Sequence, residues 1–152
     1  MKKLFFSFLL LMVMLPLGSS AITLDEAIQY FTIETNRYGK SFEASMSRHD
    51  VSVEFSSGYD PMKREFIMSM IFDKKFFDNL NGKAMKKAKQ TTLQEWSHNY
   101  KTQPQFKEMV DKAKEINGIF RVVYSCSKGG DKLKSKDYKI TPDEIINYKP
   151  KK

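Results

Sequence analysis

The chain has a single cysteine, Cys126, so no intramolecular disulfide can staple it, and no cysteine pair can hold zinc. Histidine is almost as scarce. His49 and His98 are the only two, and they do not stand at metal-ligand spacing. No Gly-x-Ser-x-Gly elbow occurs, which removes the commonest sequence signature of a serine hydrolase. No internal repeat, low-complexity tract or linker divides the chain. Its longest apolar run, over 4–17, is shorter than the about 20 residues that a bilayer-spanning helix requires. Acidic residues are in the minority, 18 against 26 lysines and arginines, and the net charge is +8. That excess favours anionic partners without identifying a site.

What the N-terminus does contain is informative. Lys2 and Lys3 precede the apolar run, Pro16 and Gly18 break it, and Ser19-Ser20-Ala21 ends it in small residues. This pattern predicts a signal peptide over 1–21, export to the periplasm or the extracellular space, and a mature chain beginning at Ile22 with no transmembrane segment. No cysteine follows the small-residue site, so no lipid anchor is expected there. The remainder fits one domain over 22–148 with a disordered tail over 149–152.

Thr23-Leu24-Asp25-Glu26 has the form of a capping box, and Leu24, Ile28, Phe31, Thr35, Tyr38 and Phe42 follow on one helical stripe. Gly39 falls late in the stripe and is expected to end the helix before Phe42. Val51, Val53 and Phe55 alternate with polar residues. After turn residues at Gly58-Tyr59-Asp60-Pro61, Phe66, Met68, Met70 and Phe72 resume the alternation, which predicts a hairpin with an exposed tip. The segment 74–100 reads as helix interrupted at Asn81-Gly82. Pro104 opens a second helix whose stripe is Phe106, Met109, Val110, Ala113 and Ile116, with Gly118 at its C-terminal cap. Residues 119–126 and a Lys-rich segment ending in Tyr138 and Ile140 flank Gly129-Gly130-Asp131, a second hairpin. Thr141-Pro142-Asp143-Glu144 then opens a short helix to about Tyr148. The expected class is α+β, in the order α-ββ-αα-ββ-α, with helices on one face of an antiparallel sheet made of two hairpins.

Phe106-Lys107-Glu108-Met109-Val110, the run from Ala113 to Ile119, Val122-Val123-Tyr124, Lys128-Gly129-Gly130 and Thr141-Pro142-Asp143-Glu144-Ile145 together carry a likeness. In these the C-terminal half resembles a group of small exported bacterial proteins of unknown function. The resemblance implies the same order of elements and the same compartment, and no activity. Where members of that group carry an Asn-x-x-Cys-Pro stretch after the first helix, this chain has Asn36-Arg37-Tyr38-Gly39-Lys40.

Chemistry is sparser than fold. A nucleophilic hydrolase would need a base beside Cys126, and His98 is the partner to weigh, but Cys126 shares its strand phase with Phe120, Val122 and Tyr124 and so should face the core. Asp50, Glu54, Asp60 and Glu65 are scattered carboxylates near the first hairpin that read more simply as solvated. Met46, His49, Met62, Met68 and Met70 could suit Cu(I), yet Met68 and Met70 alternate with core phenylalanines. No cofactor or metal is implied. Trp96 and Tyr100, four apart on a helix, could form an aromatic platform. Lys83, Lys86, Lys87 and Lys89, and in the second hairpin Lys128, Lys132, Lys134, Lys136 and Lys139, could form an anion-binding surface, or simply guard an edge strand. Arg121 is the one arginine of the C-terminal half, which argues against nucleic acid. The leading expectation is an exported, non-enzymatic module that binds a protein or an anionic envelope component, with Trp96, Tyr100, Lys132, Lys134 and Lys136 as its candidate contacts. The alternative is a small exported hydrolase using scattered carboxylates or the His98 and Cys126 pair.

Overall fold

The computed structural model describes residues 21–128 and 131–150, and the side chains of 127–133 lie outside it. All but Ala21 of the signal segment expected over 1–21, the Gly129-Gly130 turn and the last two lysines therefore fall outside the described residues.

Helix α1, Leu24–Ser47, starts at the expected box. Thr23 Oγ1 accepts from the Glu26 N–H at 3.2 Å, and Glu26 Oε2 accepts from the Thr23 N–H at 2.7 Å. The helix does not stop near Gly39. It continues to Ser47, and Gly39 is buried where helix meets sheet, because a Cβ there would collide with the Phe55 ring.

Strands β1, Val53–Asp60, and β2, Glu65–Phe72, make the first hairpin. Val51 stays outside β1, and Gly58, Tyr59 and Asp60, expected in the turn, complete that strand. The turn itself is 61–64. Asp60 Oδ1 accepts from the Met62 and Lys63 N–H groups at 3.0 and 3.1 Å, and Arg64 takes a left-handed φ of 55°. Met62, 94% exposed, marks an exposed tip, as expected.

Three helices, not two, join the hairpins: α2, Lys74–Asp78; α3, Gly82–Thr102; and α4, Pro104–Glu115. Asp73 caps α2 by accepting from the Phe76 N–H at 2.7 Å, and Asn81 caps α3 through the Ala84 N–H at 2.9 Å, at the expected break. The left-handed residue after α4 is Asn117, at φ 54°, rather than Gly118. Bonds from the Gly118 N–H to the Ala113 carbonyl (2.7 Å) and from the Asn117 N–H to the Lys114 carbonyl (3.0 Å) close a Schellman motif. Gly118 is small for another reason: a Cβ would stand 3.0 Å from the Arg64 carbonyl oxygen. Strands β3, Ile119–Lys128, and β4, Asp131–Ile140, follow, then α5, Pro142–Ile146, which opens on the expected Thr141 and Glu144 box and stops short of Tyr148.

The sheet order is β1-β2-β3-β4, and the sheet is mixed. Both hairpins are antiparallel, but β2 and β3 run parallel from Glu65 beside Ile119 to Phe72 beside Cys126. The antiparallel sheet expected from two hairpins is thereby corrected. The three-helix crossover returns the chain to the end where β2 begins, and the Ile119 N–H donates to the Arg64 carbonyl at 3.0 Å, so β3 must leave in the same direction as β2.

One face of the sheet carries the core. Phe66, Met68, Met70 and Phe72 of β2 and Phe120, Val122 and Cys126 of β3 are buried there, with Phe31 of α1 at ring-centroid distances of 5.4 Å from Phe66 and 6.0 Å from Phe120. Each such aromatic or aliphatic side chain contributes about 1.5–3 kcal/mol by leaving water. The alternate residues Ile67, Ser69, Ile71, Val123 and Ser125 are only half-buried, so the helices cover a single face. Among the described residues, no helix is long and apolar enough to cross a membrane.

Candidate functional site

α1 packs on β1 and α4, whereas α3 packs on α4, α5 and β4. Between them lies a cleft of about 460 Å³, within the size range of small-molecule sites. α1 lends it Tyr30, Phe31, Glu34, Thr35, Arg37, Tyr38 and Ser41, and α3 lends it Thr92, Glu95, Trp96 and Asn99, with Gln103 at its C-terminal cap. Both sets repeat at helical spacings of three, four and seven, so each is one face of one helix. Met68 of β2 with Phe106 and Met109 of α4 completes the lining.

The lining is apolar in its depth and polar toward its mouth. Phe31, Met68, Phe106 and Met109 are buried, whereas Arg37 and Glu95 are exposed. Trp96 belongs to both zones, since its ring meets Phe120 edge-on at 5.3 Å and Phe106 at 6.0 Å while also lining the cleft. These contacts hold the indole in place. Tyr38 stacks on Phe42 at 5.9 Å, which fixes the opposite wall. Arg37 Nη1 pairs with Glu34 Oε1 at 2.9 Å, and Asn99 accepts from Gln103 Nε2 at 3.2 Å. Thr92 Oγ1 lies 2.9 Å from the Tyr138 hydroxyl, which is itself 3.5 Å from that of Tyr124. Burial, reinforced by the Glu34 charge, pushes the Tyr30 hydroxyl above its ordinary range.

No family model, curated protein or solved structure matches this chain. The cleft is therefore read from its own chemistry.

The candidate contacts separate. Trp96 lines the cleft. Tyr100, one turn on, turns to α4, where its hydroxyl donates to Asp111 Oδ1 at 2.8 Å and Lys107 Nζ lies 5.4 Å from the ring centroid, so the two rings do not share a platform. Lys136 reaches across to α2 and donates to the carbonyls of Leu80 at 2.6 Å and Phe77 at 3.3 Å, over the Phe77 ring at 4.5 Å. It closes the end of a helix. Lys134 is exposed, and the side chain of Lys132 lies outside the described residues. Among the other lysines, Lys89 pairs with Glu144 at 2.7 Å and Lys139 with Glu65 at 2.8 Å, while Lys83, Lys86 and Lys87 are exposed.

His98 and Cys126 are not brought together. Cys126 is 2% exposed on β3, beneath α2, whereas exposed His98 lines a surface hollow with Tyr148 and Pro150. The methionines are likewise dispersed, with Met68 and Met70 in the core and Met62 at the hairpin tip. Among the described residues, no group of three or more histidine, cysteine or acidic side chains could hold a metal ion.

Of the cleft residues, Glu34, Arg37, Glu95, Asn99 and Gln103 escape sequence reasoning. The available signal is the polar spacing around Trp96, with Thr92, Glu95 and Asn99 falling on the tryptophan's own face of α3 and Gln103 capping it.

Glu65 is the other finding that sequence leaves hidden. Although it lies on the sheet face away from the core, it is 3% exposed, held by Lys139 Nζ at 2.8 Å and Arg121 Nη1 at 3.4 Å. Arg121 also donates to Asp137 Oδ2 at 2.7 Å. The hydrogen bond from Lys139 lowers the Glu65 pKa, opposed by burial. All three positions meet only through strand register.

Proposed function

We propose that this chain is an exported, non-enzymatic binding module whose ligand site is the cleft between α1 and α3. The observation that carries the reading is the convergence of Tyr30 and Tyr38 from α1 with Trp96 from α3 on one space of ligand size, with Tyr38 stacked on Phe42 and Trp96 set edge-on against Phe120. Aromatic walls braced by such contacts, with a few polar groups at the mouth, bind small molecules at a reduced ordering cost. Export is supported by the Lys2-Lys3 start, the apolar run and the Ser-Ser-Ala ending, and by the resemblance to small exported bacterial proteins. The exposed lysines Lys83, Lys86, Lys87 and Lys134 favour residence near an anionic envelope surface.

The test is a screen of small amphiphilic molecules, with each hit mapped by amide chemical-shift changes on the isotope-labelled mature chain. Shifts concentrated on Glu34, Tyr38, Glu95 and Asn99 support the reading. Hits that map to the open sheet face, or a screen with no hits at all, contradict it.

A further inference from the structure

The chain carries an excess of 8 positive charges, yet among the described residues no lysine lines the cleft. Its charged residues are two carboxylates, Glu34 and Glu95, and one guanidinium, Arg37. Arg37 is committed to Glu34 at 2.9 Å. Glu95 has no hydrogen bond or ion pair among the described residues, although cations are the commoner charge on this protein. An unneutralised carboxylate thus stands at the mouth of a space lined by one tryptophan and two tyrosines. Aromatic faces attract cations through the ring quadrupole, and a carboxylate beside them adds the only net charge of the lining. Anions would meet two carboxylates and one already paired arginine.

Resting on the cleft reading above, we propose that the ligand is a small organic cation, an ammonium group on an apolar body, with the body between Trp96 and Tyr38 and the charge toward Glu95. The choice of cation over neutral or anionic ligand follows from charge complementarity, which sets specificity more than total affinity.

Three molecules of one shape separate the possibilities: choline, its uncharged carbon analogue 3,3-dimethylbutan-1-ol, and the anion 3,3-dimethylbutanoate. Trp96 is the sole tryptophan, so its fluorescence reports the cleft without labelling. Choline is expected to bind about fivefold or more tighter than the alcohol, with the anion weakest. Glu95→Gln should remove most of that preference while leaving alcohol binding unchanged. Arg37→Gln, which frees Glu34, should strengthen choline binding, an opposite sign that a merely damaged fold would not give. Both residues are exposed, and an unchanged melting temperature checks each variant. Equal binding of all three molecules overturns the cation assignment and leaves the cleft as a site. No response to choline also overturns it, and the shift mapping of other hits then decides the cleft separately.

Discussion

Gly39 of α1 lies against the ring of Phe55 in β1 with no room between them for a Cβ. This contact sets how closely the first helix approaches the sheet, and so where Tyr38, its neighbour in sequence, stands in the cleft wall. Exposed helical glycine normally gains about 1 kcal/mol on replacement by alanine. Here the sign reverses. Gly39→Ala is expected to lower stability by about 1–3 kcal/mol in urea unfolding, as overpacked cores do. Adding Phe55→Leu should recover part of the loss, and a stabilised single variant would show that the contact can relax.

Lys136 separates a structural role from a binding one. Replacing it by methionine keeps the stem over Phe77 but removes the donor to the Leu80 carbonyl, while the Phe77 carbonyl keeps the Leu80 N–H at 3.0 Å, and this should cost about 1–2 kcal/mol in chemical denaturation. Lys134→Met, at an exposed position of the same strand, should leave stability within about 0.5 kcal/mol of the parent. If the two variants behave alike, the cap is not contributing.

The Glu65 cluster predicts an acid-sensitive fold. Folding lowers the Glu65 pKa, so its ionised form stabilises the native state above the ordinary carboxylate range, and that contribution fades as pH falls through and below it. Glu65→Gln should cost about 1–3 kcal/mol at neutral pH and flatten the stability profile below about pH 4.5. An unchanged acid limb would mean that other carboxylates govern it.

Cys126, buried on β3, should resist thiol reagents in the native state and react at once in denaturant. Labelling of the native protein at the rate of the unfolded chain would contradict its burial.

Much of this fold is legible in the chain because it is written locally. The Thr23 and Thr141 capping boxes, the alternation through Phe66, Met68, Met70 and Phe72, and the strand phase that buries Cys126 all depend on near neighbours. What is not legible depends on distance. Alternating residues in β2 and β3 specify which side faces inward but not which way the partner strand runs, so the parallel pairing emerges only from where the three-helix crossover returns the chain, with Ile119 hydrogen-bonded to Arg64. Gly39 reads as a helix end because its true reason, Phe55, lies across the fold. The cleft is harder still. Tyr38 sits on a recognisable stripe and Trp96 is conspicuous, but nothing local tells α1 that it will face Glu95 and Asn99. Those residues look like any solvated helix face.

Occluding the cleft should abolish binding if the ligand sits between α1 and α3. Asn99 lines it at half burial and outside the core, so Asn99→Phe should fill the space with the fold intact. The measurement is the affinity of the best small-molecule hit for this variant beside the parent, with melting temperatures matched. Loss of at least about tenfold in affinity, equal to 1.4 kcal/mol, is the predicted result. Undiminished binding would place the ligand elsewhere and contradict the account.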